Sequence, residues 1–509
     1  DELMSTVAKK VLMGSGAVDA YEIEQSLIFD TNASLVRTPS STGNRKKWTI
    51  SVWVKKGKLG QIQYIYGGQS SNETDLRFSG TDTIEYFGYQ NSAHTWGFST
   101  ARKFRDVGAW YHIVAIFDSA NGTQALRARL FVNGEELPEN GATSIVVPEN
   151  QDSMMNLVNV PQYIGKLDGN ASFFNGNMAE FHFLDGAAKA PTDFAETNSE
   201  TGQWVPIEYT GGSYGTNGFY LKFASGAIGT DSSGEGNNYT VSNLANSDVV
   251  PDSPTNNFAT MNPLVYRTAN GTQVYSEGNL KYGQPTANSW GFGFTTLNVK
   301  SGKWYAEMIC PGVTGGVTAG VSNVGHYGLQ HFLGQNPQDA TGQWILYLSG
   351  TTTKSRFNGS LASETYSVFN TGQILGIALN ADDKELSFYV DGTLQSSLGS
   401  SGVVDISTGG SANDEWSFFA NTHYGASGAI TWNFGQNSSF LGTETATSNS
   451  DGNGVGAFHT TPPSGYLALC TANLPDPAIP LPSAHFNTVL YTGNGGTNAI
   501  TGVGFQPDW

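Results

Sequence analysis

Apolar and polar positions alternate with a period of two along most of this chain, the signature of half-buried β-strands. The run Trp48-Thr-Ile-Ser-Val-Trp-Val sets Trp48, Ile50, Val52 and Val54 on one face. Trp110-Tyr-His-Ile-Val-Ala-Ile-Phe likewise sets Tyr111, Ile113, Ala115 and Phe117 together, and Ala128, Leu130 and Val132 pair back through a turn-rich loop ending in Asn133-Gly134. From Gln373 to Gly392 the device returns: Gln-Ile-Leu-Gly-Ile-Ala-Leu-Asn, a polar turn, then Glu-Leu-Ser-Phe-Tyr-Val-Asp-Gly. Asn-Gly and Asp-Gly accept the positive φ angles of a type I′ turn, whose twist suits a tight hairpin. The same device twice predicts two β-sandwich modules in series, an all-β fold of tandem antiparallel sandwiches.

Breaks in the pattern divide the chain. Residues 1–25 hold one short helical turn around Val7 to Met13, closed by Gly14, and read as an anchor segment or a leader. The first module runs over 26–223, with Met178 to Phe183 as its last inner strand. Residues 224–262 are rich in Gly, Ser and Asn and read as a connector on the surface, where Pro251 and Pro254 disfavour strand pairing. The second module spans 263–474. The Pro-rich stretch 475–484 reads as a stiff spacer, and 485–509 as the start of a further β module, so the natural chain is expected to continue.

Composition narrows the classes of function. At 509 residues the chain is too long for one core. Its net charge of −18 argues against a nucleic-acid backbone or an anionic membrane as partner, because both need clustered Lys and Arg. No apolar run reaches the ~18 residues of a membrane span, and none reads as a secretory signal. Cys310 and Cys470, both in apolar contexts, read as buried free thiols.

Candidate chemistry is sparse. A retaining glycosidase needs two carboxylates facing one another across the scissile bond. The acidic groups weighed for that role, Glu22/Glu24, Glu135/Glu136, Asp382/Asp383/Glu385 and Asp414/Glu415, lie beside turns or strand ends, where a solvated face explains them, and catalysis is not expected. His326, His331 and His423 match no zinc spacing. The aromatic, Gly-flanked segment around His326, Tyr327, His331 and Phe332 reads as an exposed loop that makes contacts or simply packs. Trp96 and Trp290, in polar contexts, are candidates for stacking on sugar rings, while Trp53, Trp110, Trp304 and Trp432 read as core.

Two resemblances add to this reading. Trp48-Thr-Ile-Ser-Val-Trp-Val, Trp110-Tyr-His-Ile-Val, Leu130-Phe-Val-Asn-Gly, Tyr163-Ile-Gly and Gly176-Asn-Met-Ala-Glu-Phe resemble the laminin-G/pentraxin group of concanavalin-type jelly rolls. That resemblance implies two curved sheets, a glycan or protein site at the loop rim and, in some members, calcium. No cofactor is expected beyond such a structural calcium ion, for which Asp118 is the one residue weighed, against a turn-forming role. Gly302-Lys-Trp-Tyr-Ala-Glu, Ala319-Gly-Val-Ser, Gly376-Ile-Ala-Leu, Leu386-Ser-Phe-Tyr-Val-Asp-Gly and Trp432-Asn-Phe-Gly resemble a SPRY (B30.2-like) domain, which implies an interaction surface without catalysis.

Segments outside these motifs look like structural proteins of tailed bacteriophages, especially marine ones: Tyr21-Glu-Ile-Glu-Gln-Ser-Leu, Arg37-Thr-Pro-Ser-Ser, Gly202-Gln-Trp-Val-Pro, Tyr214-Gly-Thr-Asn-Gly-Phe-Tyr-Leu, Pro254-Thr-Asn-Asn-Phe and Pro462-Pro-Ser-Gly-Tyr. That resemblance implies a virion surface or tail-fibre protein. Its expected partners are a host glycan or protein receptor and other virion proteins, with a homotrimer by analogy. A purely structural tail or capsid decoration protein is the alternative, and a glycan hydrolase a more distant one.

Overall fold

The computed structural model describes residues 21–90, 93–138, 144–169, 172–265, 274–283, 290–310, 317–324, 342–349, 352–357, 360–366, 370–407, 415–423 and 429–506. Among them, regular structure is almost entirely strand, with a few 3-10 turns. The first sandwich opposes two antiparallel sheets. One runs in the order Glu135–Glu136, Ala128–Val132, Trp110–Asp118, Lys47–Lys56, Gly176–Asp185, Ser26–Phe29 and Val249–Val250, with Phe219–Leu221 also pairing to Gly176–Asp185. The other runs Thr240–Ser242, Ser34–Arg37, Gln162–Ile164, Gln63–Gln69, Glu73–Phe78, Ile84–Gln90 and Ala93–Ser99. Every inward residue expected from parity on Lys47–Lys56 and Trp110–Asp118 lies in the buried core between them.

The second sandwich is built the same way. Lys303–Ile309 and Ile374–Asn380 lie at the centre of one sheet, while Val317–Asn323 lies between Trp416–His423 and Gln343–Ser349 in the other. Trp304, Trp344, Trp416 and Trp432 fill the space between the sheets. Cys310 and Cys470 are buried and form no disulfide, as expected. Asn133-Gly134 and Asp391-Gly392 turn with φ of 51° and 79°, and 48° and 77°, the pair of positive angles that a type I′ turn requires.

The structure departs from the sequence reading at several points. Residues 224–262, read as a surface connector, supply Thr240–Ser242 to one sheet of the first sandwich and Val249–Val250 to the other, and bury Phe258, Ala259 and Met261. Short strands add at sheet edges, so a polar composition does not prevent pairing there. Met178 to Phe183, an inner strand as expected, is not the last one of the module: Phe219–Leu221 follows it in the chain and pairs with it. Trp110 is only partly buried, its indole Nε1 donating to Asp252 at 3.4 Å, rather than sealed in the core. Residues 485–506 form no strand, and Leu490 and Tyr491 are exposed. Of the expected anchor segment, only 21–25 fall within the described residues.

The sandwiches meet along the edge carrying Ser26–Phe29. Ile28 and Val250 join the apolar core of the second sandwich, beside Met261, Tyr275 and Leu280. Lys55 Nζ reaches back to Asp252 (2.8 Å), Asn257 Oδ1 (2.7 Å) and the Phe258 carbonyl (3.0 Å). At this junction burial, then the charges of Asp30 and Asp248, push the Glu277 carboxyl up to about 7, against the pull of Lys281. A folded-state pKa raised above the unfolded value favours folding below the unfolded value, and that contribution is lost as pH rises towards about 7. Wild type is therefore expected to lose ~1–2 kcal/mol relative to Glu277→Gln between pH 5 and 8, as read by denaturant melts. Parallel pH profiles for the two proteins would refute this assignment.

Candidate functional site: a tyrosine-lined cavity around a bulged glutamate

The outer face of the Gly176–Asp185 sheet is not bare. The hairpin Ala195–Thr197/Trp204–Pro206, the residues before Ser26 and the loop through Tyr214 fold over it and bury a layer of aromatic rings. Beneath that cover the pairing of Gly176–Asp185 with Lys47–Lys56 slips between Ala179 and His182, and Glu180 takes a left-handed φ of 45°. The bulge breaks the alternation: Met178, Phe181 and Phe183 all point into the core, which a regular strand cannot arrange. Glu180 lies on the other side, nearly buried.

Around Glu180 the polar groups are tightly ordered. The hydroxyls of Tyr21 and Tyr220 both donate to Glu180 Oε1 and lie 3.1 Å from each other. His182 Nε2 is 3.7 Å from Oε2. Its Nδ1 bonds the Tyr214 hydroxyl at 2.8 Å, and its ring stacks on Tyr220 at 4.2 Å between centroids. Burial by itself raises the Glu180 carboxyl, but His182 and the two tyrosine hydroxyls hold it below the usual carboxylate range. Burial raises the hydroxyls of Tyr214 and Tyr220, so both remain neutral donors.

A cavity of about 290 Å³ opens beside this group, lined by Tyr209, Tyr214, Tyr220, Glu208, Lys222 and Ser232, with Tyr21 and His182 at its inner wall. Aromatic faces combined with a few polar side chains of both signs suit a polyhydroxylated ligand, whose ring faces are apolar and whose edges donate and accept.

A second polar pair nearby lacks the geometry of a nucleophile and base. Ser51 Oγ and His112 Nε2 are 2.8 Å apart and buried. Trp204 Nε1–H, which can only donate, bonds His112 Nδ1 at 3.0 Å. Nε2 must then carry the ring proton and donate to Ser51, so this imidazole cannot take the serine's proton. Burial, then the charge of His182, pushes His112 down to about 3 and keeps it neutral. Glu73, Asp75 and Glu85, not weighed from the sequence, share the outer face of the other sheet. There Arg77 holds Glu85 at 2.8 Å and Asp75 at 3.6 Å.

None of the described residues singled out from the sequence for binding lines this cavity. Trp96 is not at a loop: it lies in the strand Ala93–Ser99, buried against Tyr86 and Phe117, and a sealed indole presents no face to a sugar. Trp290 begins the strand Trp290–Phe294, paired to Trp416–His423. His326, Tyr327, His331 and Phe332 lie outside the described residues. Asp118 faces Lys47 at 3.1 Å. None of the residues around this cavity was a candidate from the sequence, and Glu180 stood only within the laminin-G-like segment Gly176-Asn-Met-Ala-Glu-Phe. Tyr21, Tyr214 and Tyr220 stand in segments singled out for another reason.

Fold and cavity together define a β-sandwich binding module. Residues 30–192 match the family described as the concanavalin A-like lectin/glucanases superfamily, in its laminin G subgroup. No curated protein matches the chain. Similar solved structures include the SPRY domain of human HERC1 (15% identity over 34% of this chain and 96% of that one, TM-score 0.25). Mouse laminin alpha1 domains LG4-5 align over 80% of this chain and 84% of theirs, at 11% identity and TM-score 0.26. A putative carbohydrate binding protein from Bacteroides ovatus aligns over 44% of this chain and 61% of its own, at 17% identity and TM-score 0.29. The fold class is all-β, two antiparallel sandwiches in series, the first of them built on the residues that match the concanavalin A-like model.

Proposed function

We propose that this chain is a non-enzymatic attachment protein of a tailed-bacteriophage virion, and that its first sandwich binds a host-surface glycan in the tyrosine-lined cavity. The observation that carries the binding reading is the cavity itself, with Tyr209, Tyr214 and Tyr220 offering ring faces beside Glu208, Lys222 and Ser232. Its volume of about 290 Å³ is near the lower end of small-ligand sites (~300–1,000 Å³). The reversed donor role of His112 supports a module without hydrolytic chemistry. The phage assignment and the virion location rest on the sequence resemblance.

A second reading, a structural component touching only other virion chains, is favoured by exposed Phe486, Leu490 and Tyr491, apolar side chains suited to a protein partner. Labelled full-length protein separates the two when added to host cells with and without periodate oxidation of their glycans. Attachment lost after oxidation, with Tyr209→Ala binding about tenfold more weakly (~1.4 kcal/mol), is the expected result. Absence of cell binding by folded protein would favour the structural reading, and binding indifferent to periodate would favour a protein receptor.

A further inference from the structure

Among the arginines whose side chains are described, all but one are neutralised. Arg45, Arg77, Arg102, Arg105, Arg127 and Arg129 each have a carboxylate oxygen within 4 Å. Arg37 is the exception among the arginines whose side chains are described. Its Nη2 donates to Asn217 Oδ1 at 3.2 Å and, more closely, to Asn237 Oδ1.

Both amides are locked in that orientation. Asn217 Nδ2 is held by the Ser41 carbonyl at 3.0 Å, and Asn237 Nδ2 by the carbonyls of Thr216 (3.0 Å) and Gly218 (2.7 Å). Only their oxygens are free to face the guanidinium, and both residues are buried. The charge of Arg37 reaches Asp185, but Asp185 already accepts from Asn44 N (2.7 Å), Asn156 Nδ2 (2.9 Å) and Asn217 N (3.0 Å). The guanidinium is therefore held by neutral partners, with Nε and Nη1 unclaimed among the described residues.

It lines a cavity of about 430 Å³ with Thr38, Ser40, Asn237, Asn238 and Thr240, and no carboxylate is among the lining residues. An arginine fixed in place and lacking a carboxylate beside such a space is built to receive an anion. The cavity is much larger than a simple oxyanion needs, and the remaining lining offers hydroxyls and amides, the partners of sugar hydroxyls.

We propose that the Arg37 cavity is a second glycan subsite, specific for an acidic sugar whose carboxylate accepts from Arg37 Nε and Nη1 while its hydroxyls meet Ser40, Asn238 and Thr240. The proposal rests on the glycan-binding reading above and adds the class of sugar. The protein's net charge of −18 does not forbid it, since fields beyond ~8 Å are largely screened at physiological salt.

The test is calorimetric titration of the full chain with trigalacturonate, its methyl ester, trimannuronate and sialyllactose. At least one acidic probe is expected to bind, with at least tenfold loss in Arg37→Gln and partial recovery in Arg37→Lys, which restores charge without the planar fork. The neutral ester should bind wild type and Arg37→Gln equally weakly. Ser40→Trp, which fills the cavity and leaves the Asn217–Arg37–Asn237 contacts in place, should abolish acidic-sugar binding even if Arg37→Gln folds poorly.

Acidic probes that bind none of the proteins, or bind Arg37→Gln and Ser40→Trp as well as wild type, would overturn the proposal. So would complete displacement by millimolar inorganic sulfate, which would mark a simple anion site. If periodate-sensitive, Tyr209-dependent cell binding persists in any of these cases, only the acidic subsite has failed. Loss of that cell binding as well would bring down the glycan reading itself.

Discussion

Asp82→Ala is expected to destabilise the first sandwich by ~3–5 kcal/mol, because it strands a buried ammonium group. Lys56 is completely buried, its Nζ 2.9 Å from Asp82 Oδ1, 3.4 Å from the Phe104 carbonyl and 4.5 Å above the Phe78 ring. Asp82 also accepts from Gly60 N at 2.8 Å and from Arg105 Nε at 2.9 Å, so one carboxylate ties three segments together. Lys56→Met is expected to cost much less, since Asp82 keeps Arg105 and Gly60 and the apolar stem is replaced. Burial tends to raise the Asp82 carboxyl, but Lys56, Gly60 and Arg105 hold it below the usual range. A depressed folded-state pKa contributes stability above the unfolded value, and that contribution disappears as pH falls through the folded one. Asp82→Ala should therefore also flatten the acid limb of the stability profile. Urea melts placing it within ~1 kcal/mol of wild type would show that the pair contributes little.

What the sequence made legible was local. Strand parity assigned the inner faces of Lys47–Lys56 and Trp110–Asp118, and the Asn-Gly and Asp-Gly dipeptides marked turns whose φ angles are both positive. Trp96 was misread because its burial depends on the facing strand of its hairpin and on Phe117 in the opposite sheet. Its indole occupies space above Gly88, where a Cβ would lie 2.1 Å from Nε1, and Gly97 beside it adopts a φ of 115°. Nothing in Ser92-Ala-His-Thr-Trp-Gly reports that Gly88 is its cross-strand partner. The connector was misread for the same reason, since edge strands of two or three residues carry too little pattern to register.

The cavity was illegible because its walls come from five separate stretches of chain, none with a motif that points to binding. One signal for it did exist. In Gly176-Asn-Met-Ala-Glu-Phe-His-Phe the large apolar residues fall at 178, 181 and 183, and an odd step between core positions implies an inserted residue. That residue places the carboxylate on the far side of the sheet, under the aromatic cover that includes Tyr209, Tyr214 and Tyr220. The network in the cavity wall is thus a consequence of one register slip.

Glu180→Ala tests that link between bulge and binding. The substitution leaves the hydroxyls of Tyr21 and Tyr220 bonded only to each other and removes the anion beside His182, in a setting where hydrogen bonds to a charged group contribute ~1.5–3 kcal/mol apiece. A loss of ~3 kcal/mol is expected, together with at least tenfold weaker glycan binding as Tyr220 and Tyr214 lose their fixed orientation. Alanine retains the left-handed backbone at this position, which costs a residue with a Cβ ~1 kcal/mol. Glu180→Gly loses the same carboxylate but tolerates a φ of 45°, so it should be more stable than Glu180→Ala by about that amount while binding equally poorly. The ordering separates the two contributions of one residue: stability depends on both backbone and carboxylate, whereas binding depends on the carboxylate alone. Equal stability of the two variants would mean that the bulge is unstrained, and undiminished glycan binding in both would remove Glu180 from the site.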